Sequence, residues 1–160
     1  MKPFLICGCD PGLKGAIAFY FPKFPAQISV YDMPIVGNEV DAAALEAIIR
    51  QMKPDLAVCE LVGARPGQGV TSMFNFGVSF GRLTGVIAAC HVPLSYVTPA
   101  KWKKSFGLSS DKEEARALAI RMWPASAHFR RRKDEGRAEA ALIARYGADA
   151  IHPKTMEAAE

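Results

Sequence analysis

Two acidic residues lie at the ends of apolar segments, where acids are uncommon. Their positions indicate chemistry that requires a cation. Asp10 follows the apolar run of residues 4–9 and starts the break DPG, and Glu60 ends the apolar run of residues 55–60. An unpaired buried carboxylate is costly, so each needs a metal ion or a cationic side chain as its partner. For Asp10 the alternative is that it merely starts a turn, which Asp does well, and this stretch alone does not decide between the two.

A third source of acids is the segment KDEGRAEAALIA at residues 133–144. Glu135 and Glu139 are four residues apart and therefore share one face of a helix, whereas Asp134 precedes them where it could cap the helix. Acids on a helix usually form a solvated face. Here the surrounding residues are apolar enough for the helix to pack, and Glu139 lies among them: Ala138, Ala141, Leu142 and Ala144.

If these segments meet, three or four carboxylates converge without His or Cys ligands. Oxygen ligands of this kind select a hard cation, Mg²⁺ or Mn²⁺, and fit Zn²⁺ poorly. Two such ions a few Å apart can hold both the attacking and the leaving oxygen of a phosphodiester. The residues therefore predict phosphodiester hydrolysis by metal-bound water.

The elements that must position these acids follow from the apolar periodicity and the Gly/Pro breaks. The pattern predicts the order β-β-β-α-β-α-β-α-α, which gives an α/β fold with a mixed sheet and helices on its faces. Ser110 and Glu113 are predicted to form a capping box at the start of a helix. The predicted strands are residues 4–9, 15–20, 27–31, 55–60 and 92–98, and the main helices are residues 40–52, 72–91, 110–122 and 135–146.

Length and composition indicate one domain in a reducing compartment. The chain has 160 residues, half of them hydrophobic, which is enough for one sizeable core, and we expect a domain at residues 1–148 followed by a flexible tail at 149–160. The net charge of +4 favours an anionic partner only mildly. The four cysteines fit no zinc pattern, and no signal-peptide or transmembrane pattern is evident, so the expected location is cytoplasmic.

Beyond these patterns, the motifs resemble a known family. The first motif of the RuvC-type Holliday junction resolvases resembles the DPG of residues 10–12 with the GA of residues 15–16. Their second motif resembles the CE of residues 59–60, and their third resembles DEGRAEAALIA at residues 134–144. The stretch PGQGVTSMFNFGVSFG at residues 66–81 is similar to phage and prophage members described as RuvC-like or RNase H-like nucleases.

The resemblance covers residues 4–147, and it is the order and spacing of the motifs that make it specific. It implies an RNase H-like fold with a five-stranded mixed sheet and helices on both faces. It also implies a homodimer and Mg²⁺- or Mn²⁺-dependent cleavage of branched DNA such as a four-way junction. The catalytic, metal-binding acids that it implies are Asp10, Glu60, Asp134 and Glu139, with Glu135 as the alternative to Asp134.

The family often places its last two acids three residues apart, which here falls on Gly136. One of the two preceding acids must then substitute, and Asp134 is favoured because family members often carry an acid two residues before this glycine. In a continuous helix Asp134 would point away from Glu139, so it can take part only if the helix begins at or after Glu135.

Basic and aromatic residues complete the predicted DNA-binding surface. Cations next to the acids would hold phosphate strands, although a charge run is usually just a solvated face. Phe74 or Phe76 is a candidate wedge between bases, with core or dimer packing as the alternative. The predicted DNA-binding residues are Lys101, Lys103, Lys104, Lys112, Arg130, Arg131, Arg132 and Phe74; the resemblance places Lys103 and Lys112 near family lysines that contact DNA.

A stripe of glycines at residues 77, 81 and 85 lies in the predicted helix of residues 72–91. The four-residue spacing places them on one face, where another backbone can approach closely. The approaching backbone belongs either to the sheet of the same chain or to a second copy in a dimer.

Two other functions remain open. One is an RNase H-like nuclease of the YqgF type that acts on structured RNA, since its first motif is similar. The other is a non-catalytic DNA-binding module, which the acids argue against because carboxylates repel phosphates unless a metal ion is present. Actin-like and glucokinase-like ATPases also begin with an acid and glycine hairpin, but they need two such domains and this chain is too short.

Overall fold

The computed structural model describes residues 2–152. Three strands come first, then a short hairpin. Helices and strands then alternate as far as the last strand, which is followed by three α-helices. The strands are β1 Ile6–Asp10, β2 Ala16–Tyr20, β3 Ile28–Asp32, β4 Ile35–Val36, β5 Glu39–Val40, β6 Leu56–Glu60 and β7 Leu94–Val97. The helices are α1 Ala42–Met52, α2 Val70–Ala89, α3 Pro99–Ser105, α4 Lys112–Met122 and α5 Glu135–Tyr146.

Five strands form one mixed sheet in the order β3-β2-β1-β6-β7. The β1–β2 and β2–β3 pairs are antiparallel, as a hairpin and its extension must be, whereas β1–β6 and β6–β7 are parallel and are joined by helical crossovers. β1 is the central strand and is apolar on both faces because both faces are covered. The predicted five-stranded mixed sheet is therefore confirmed.

Two hydrophobic cores cover the two faces of this sheet. On one face, Ile6 and Val58 pack with apolar residues of α3, α4 and α5. On the other face, Cys7 and Cys59 pack with apolar residues of α1 and α2. Successive residues of a strand point to opposite faces, so each strand contributes to both cores. The predicted arrangement of helices on both faces is confirmed.

Helix α5 lies unusually close to the central strand. A Cβ atom on Gly8 would lie 2.2 Å from the carbonyl oxygen of Ala140 and 2.3 Å from the backbone nitrogen of Ala144. Only glycine permits this approach, since any side chain there would push the helix away from β1. The acids of α5 are thus held at a short, fixed distance from the end of β1.

Three local features differ from the sequence-based expectations. The hairpin β4–β5 was not predicted, because strands of two residues carry no periodicity. The N-cap of α4 is Asp111, whose side chain accepts a hydrogen bond from the backbone N–H of Glu113, so the predicted capping box at Ser110 is wrong. After α5 the chain continues as a π-helical turn at Gly147–Ile151, and the rest of the expected tail, residues 153–160, lies outside the described residues.

Candidate functional site

The sheet brings Asp10 and Glu60 to one edge. β1 and β6 are parallel neighbours with Cys9 opposite Cys59, so the two acids that follow these cysteines leave the sheet side by side. The third acid comes from α5, where Glu139 is buried with 5 % of its surface exposed. Its charge acts on both of the other carboxyls. The predicted convergence of these three segments is what the structure shows.

The first turn of α5 passes directly beside Asp10. A Cβ atom on Gly136 would lie 3.1 Å from Oδ2 of Asp10 and 2.5 Å from the carbonyl oxygen of Lys14. The second distance is too short for any side chain, which explains the glycine. Gly136 is also three residues before Glu139, the position at which the resemblance has its other acid. In this chain that position cannot carry one.

The acids line a cleft of about 1420 Å³ whose wall is rich in cations. Beyond the three acids already described, Glu135 also lines it. The loop of residues 61–69 and helix α2 form one side, and α3 with the segment that precedes α4 forms another. The basic residues that line this cleft are Lys14, Arg65, Lys103, Lys104, Lys112 and Lys133.

Asp10 is in an electrostatically unfavourable position. Burial raises its pKa well above the ordinary value for aspartate, and the nearby charges of Glu139 and Glu60 raise it further. Lys112 and Lys103 offset this only in part. Among the described residues no basic side chain lies within 4 Å of its carboxylate. An additional cation would therefore be strongly attracted to this point.

Glu60 is held by a tryptophan that the sequence did not single out. The indole Nε1–H of Trp102 donates a hydrogen bond to Oε2 of Glu60 at 2.6 Å, and both residues are buried. Burial raises the pKa of Glu60, the hydrogen bond from Trp102 opposes that rise, and the charge of Glu139 adds to it. The net pKa is above the ordinary value for glutamate.

Glu139 already has a cationic partner within the chain. Nζ of Lys103 lies 3.3 Å from Oε1 of Glu139, and the lysine side chain is only 15 % exposed. The same ammonium group lies 5.4 Å from the centre of the Trp102 ring. Lys103 is thus a charged residue of the acidic site itself.

Asp134 and Glu135 have different surroundings. Asp134 is 2 % exposed, accepts a hydrogen bond from the backbone N–H of Arg131 at 2.8 Å and forms a salt bridge with its guanidinium at 2.8 Å. Although burial alone raises the pKa of Asp134, the bonds to Arg131 outweigh it and hold the pKa below its ordinary value. Asp134 does not line the cleft, whereas Glu135 does, so the geometry favours the alternative acid over the one preferred from sequence.

The predicted DNA-binding residues fall into two groups. Lys103, Lys104 and Lys112 line the cleft. The others do not line it: Lys101, Arg130, Arg131 and Arg132 are exposed, and Phe74 is 70 % exposed on α2. Lys14 and Arg65 line the cleft although no motif singled them out. Their only signal in the sequence is their position in the two glycine-bearing loops that follow the acids.

Four carboxylates line the cleft, and this donor set suits a hard divalent cation. The acids that line the cleft supply carboxylate oxygens, and no described His or Cys lines it, which fits Mg²⁺ or Mn²⁺. Within residues 2–152, no group of three His, Cys, Asp or Glu side chains is close enough to hold an ion in the present arrangement. Glu139 is paired with Lys103. The residues therefore fit the ion by chemistry, and closing the site requires side-chain movement.

Comparison with known proteins identifies the fold. No protein-family model matches the sequence, and no curated protein matches it significantly. Among solved structures, Thermus thermophilus RuvC in complex with a Holliday junction superposes with a TM-score of 0.69 at 14 % identity, covering 91 % of this chain and 94 % of that one. A second Thermus thermophilus RuvC structure gives a TM-score of 0.60 at 14 % identity, with 91 % and 95 % covered.

The yeast mitochondrial Holliday junction resolvase Ydc2 is also similar, with a TM-score of 0.55 at 16 % identity, covering 98 % of this chain and 84 % of that one. These likenesses show that the chain has the RNase H-like fold of the RuvC-type resolvases. None of the helices in residues 2–152 is long and apolar enough to cross a membrane.

Proposed function

We propose that this protein is a metal-dependent endonuclease that cleaves branched DNA, with four-way junctions as its substrate. The observation that carries the proposal is the position of Asp10. Asp10 is half-buried beside two other acids, and its nearest cations do not neutralise its carboxylate. A carboxylate cluster of this kind inside a basic cleft matches a phosphodiester substrate that arrives with divalent cations.

Asp10, Glu60, Glu135 and Glu139 would hold Mg²⁺ or Mn²⁺. When bound, two such ions activate a water molecule and stabilise the leaving oxygen of the phosphodiester. Lys103 and Lys112 lie close enough to lower the pKa of Asp10 and thus also act on a phosphate placed there. The aromatic rings of Phe76 and Phe80 stack 6.4 Å apart in the wall of the cleft.

The exposed basic residues and Phe74 would bind the arms of the junction. Cations around the cleft hold phosphates without reading sequence, which suits a substrate recognised by shape. Phe74 is 70 % exposed at the start of α2, beside Met73, which lines the cleft. An exposed aromatic side chain at that place can wedge between unstacked bases at a branch point.

A homodimer would provide two active sites for two symmetric incisions. The buried residues of α2 are Ser79, Leu83 and Ile87, and they define the side that faces the sheet. Gly77, Gly81 and Gly85 lie on the opposite side, and a Cβ atom on any of them would meet nothing within 4 Å. Packing on the sheet therefore does not explain these glycines, which supports a second copy of the chain as their partner.

The dimer is tested by sedimentation of the protein at micromolar concentration. Gly81→Arg adds a long side chain where the fold has open space, so the monomer should fold and the dimer should dissociate. Ala47→Arg, on the exposed side of α1, is the matched control and should remain dimeric. A stable monomer for the unaltered chain, with or without junction DNA, would contradict the dimer.

The nuclease activity is tested by incubating the protein with a four-way DNA junction, linear duplex DNA and a hairpin RNA in Mg²⁺ or Mn²⁺. We expect paired incisions in the junction and no cleavage of the other two. Preferential cleavage of the hairpin RNA would instead indicate a nuclease for structured RNA. Binding of the junction with no metal-dependent cleavage in either ion would indicate a DNA-binding module.

A further inference from the structure

Helix α3 places two consecutive side chains against two different acids. Trp102 bonds to Glu60 and Lys103 to Glu139, and the helix that carries them begins at Pro99, directly after β7. Thr98 caps it by accepting a hydrogen bond from the backbone N–H of Lys101. Because β7 pairs with β6 and places Val97 opposite Glu60, α3 starts next to the acid that its tryptophan contacts.

The contact between Trp102 and Glu60 combines a fixed ring with a short hydrogen bond. The Trp102 ring is fully buried in the core formed with α5, so the orientation of its indole N–H is fixed. It donates to Oε2 of Glu60, and no described residue donates a hydrogen bond to Oε1. A carboxylate held by one oxygen keeps the other available for a metal ion, and its orientation no longer has to be fixed when the ion arrives.

The other tryptophan of the chain, Trp123, has a purely structural role and serves as a comparison. Trp123 is equally buried, at 1 % exposure, and its Nε1–H donates to the backbone carbonyl of Pro25 at 3.1 Å. That bond joins two loops, involves no acid and lies away from the cleft lining. The two residues therefore match in type and burial and differ in the group that receives the hydrogen bond.

We propose that Trp102 is a positioning residue that orients the Glu60 carboxylate for metal binding through its indole N–H. The inference rests on the proposed function, because it assigns Glu60 to the metal site. Partners that hold a metal ligand in place typically contribute ten- to a hundredfold to metal affinity. Loss of the indole donor should therefore weaken binding of the metal without removing any ligand.

The first experiment compares Trp102→Phe with Trp123→Phe by calorimetric titration of Mn²⁺ and Mg²⁺ in the absence of DNA. Each change removes one buried indole and one hydrogen bond and keeps an aromatic ring. We expect Trp102→Phe to bind the ions roughly ten- to a hundredfold more weakly. Trp123→Phe should bind them within about twofold of the unaltered chain, because its indole contacts no proposed ligand.

The second experiment keeps Trp102 in place, so it does not depend on how Trp102→Phe folds. The chain has two tryptophans and therefore two indole N–H resonances, which Trp123→Phe assigns. On titration with Mg²⁺ the Trp102 resonance should shift and saturate at the concentration that calorimetry gives. The Trp123 resonance should not move.

The outcomes separate this inference from the function on which it rests. Failure of the unaltered chain to bind either ion overturns both. Normal metal binding with an unmoved Trp102 resonance, or metal binding by Trp102→Phe within twofold of the Trp123→Phe control, overturns the positioning role alone. A shifted Trp102 resonance together with weakened binding in Trp102→Phe supports it.

Discussion

Asp10 and Asp134 are two aspartates at the same end of the molecule with opposite surroundings. Asp134 receives hydrogen bonds from the backbone and the guanidinium of Arg131, and its pKa lies below the ordinary value. Burial and the like charges of Glu139 and Glu60 raise the pKa of Asp10 well above the ordinary value for aspartate. One carboxylate is satisfied by its own chain, and the other is not.

Under the proposed function, this difference separates an acid that stabilises the fold from an acid that binds metal. An acid that ties a loop to a helix needs a partner in the folded chain, because an unpaired buried charge would be too costly. An acid that binds an external cation must remain unsatisfied until that cation arrives. Its cost to stability is characteristic of a site in which function is maintained at the expense of stability.

The largest effect is expected for Asp10→Asn. The amide keeps the shape and removes the charge, so junction cleavage should fall by roughly a hundred- to a thousandfold, as for other principal electrostatic groups of active sites. Junction binding should stay within a few-fold because the lysines and arginines supply the affinity. Cleavage and gel-shift assays at saturating Mg²⁺ measure both. Near-normal cleavage by a folded Asp10→Asn protein would remove Asp10 from the site.

The next effect distinguishes the two neighbouring acids. Glu135→Gln removes a proposed ligand and should reduce cleavage at least as much as loss of a partner that holds a ligand in place, which is about ten- to a hundredfold. Asp134→Asn should retain most of the cleavage activity. Its cost should appear in the free energy of unfolding, about 1–3 kcal/mol for the lost bonds between a buried carboxylate and Arg131.

Arg131→Ala is the matched control for that pair. It removes the same salt bridge from the other side, so urea denaturation should show a loss of stability similar to that of Asp134→Asn. Loss of cleavage in Asp134→Asn that Arg131→Ala does not reproduce would restore Asp134 as the catalytic acid.

Asp10 and Glu60 could be predicted from the sequence because the pattern that identifies each of them is local. An apolar run that ends in an acid identifies both a strand and its C-terminal edge, and Asp10 and Glu60 each have that signal. Local sequence could not decide between Asp134 and Glu135, because the decision depends on how the chain turns before α5. α5 does begin at Glu135, as expected, but a 3₁₀ turn at Arg132–Asp134 directs Asp134 to Arg131 instead of the cleft.

The contact of Trp102 with Glu60 could not be predicted from local sequence either. Its hydrogen bond to Glu60 spans 42 residues of sequence, and no periodicity in the short segment of residues 99–105 indicates which side of α3 meets β6. The glycines of α2 were recognised as a stripe, but only the buried positions of that helix reveal that the stripe faces outward.

A smaller effect concerns Lys103, which neutralises Glu139 from within the chain. Lys103→Met should increase the affinity for Mg²⁺ in calorimetry without DNA, since the ion pair that competes for Glu139 is removed. Lys101→Met is the control, because Lys101 lies on the same helix, is exposed and does not line the cleft. Weaker Mg²⁺ binding by Lys103→Met would show that the lysine supports the site instead of competing for it.

The smallest expected effect is on the pH dependence of the free energy of unfolding. The folded-state pKa values of Asp10 and Glu60 are raised, so between the ordinary carboxyl pKa of about 4 and the raised value the native state binds more protons than the unfolded state. Their contribution to stability is therefore complete below the ordinary pKa and is lost as the pH rises through the raised one. His128, whose pKa is lowered by burial and by Arg137, acts in the opposite direction near neutral pH.

Comparing Asp10→Asn with the unaltered protein isolates the contribution of Asp10, because His128 is common to both. Without metal, the melting temperature of Asp10→Asn should equal that of the unaltered protein below about pH 4. It should exceed it at pH 8, by about 2–4 °C for each kcal/mol of relieved repulsion. Addition of Mg²⁺ at pH 8 should stabilise the unaltered protein more than Asp10→Asn and so reduce the difference. A difference that is independent of pH would mean that Asp10 is neutralised within the folded chain, as Asp134 is.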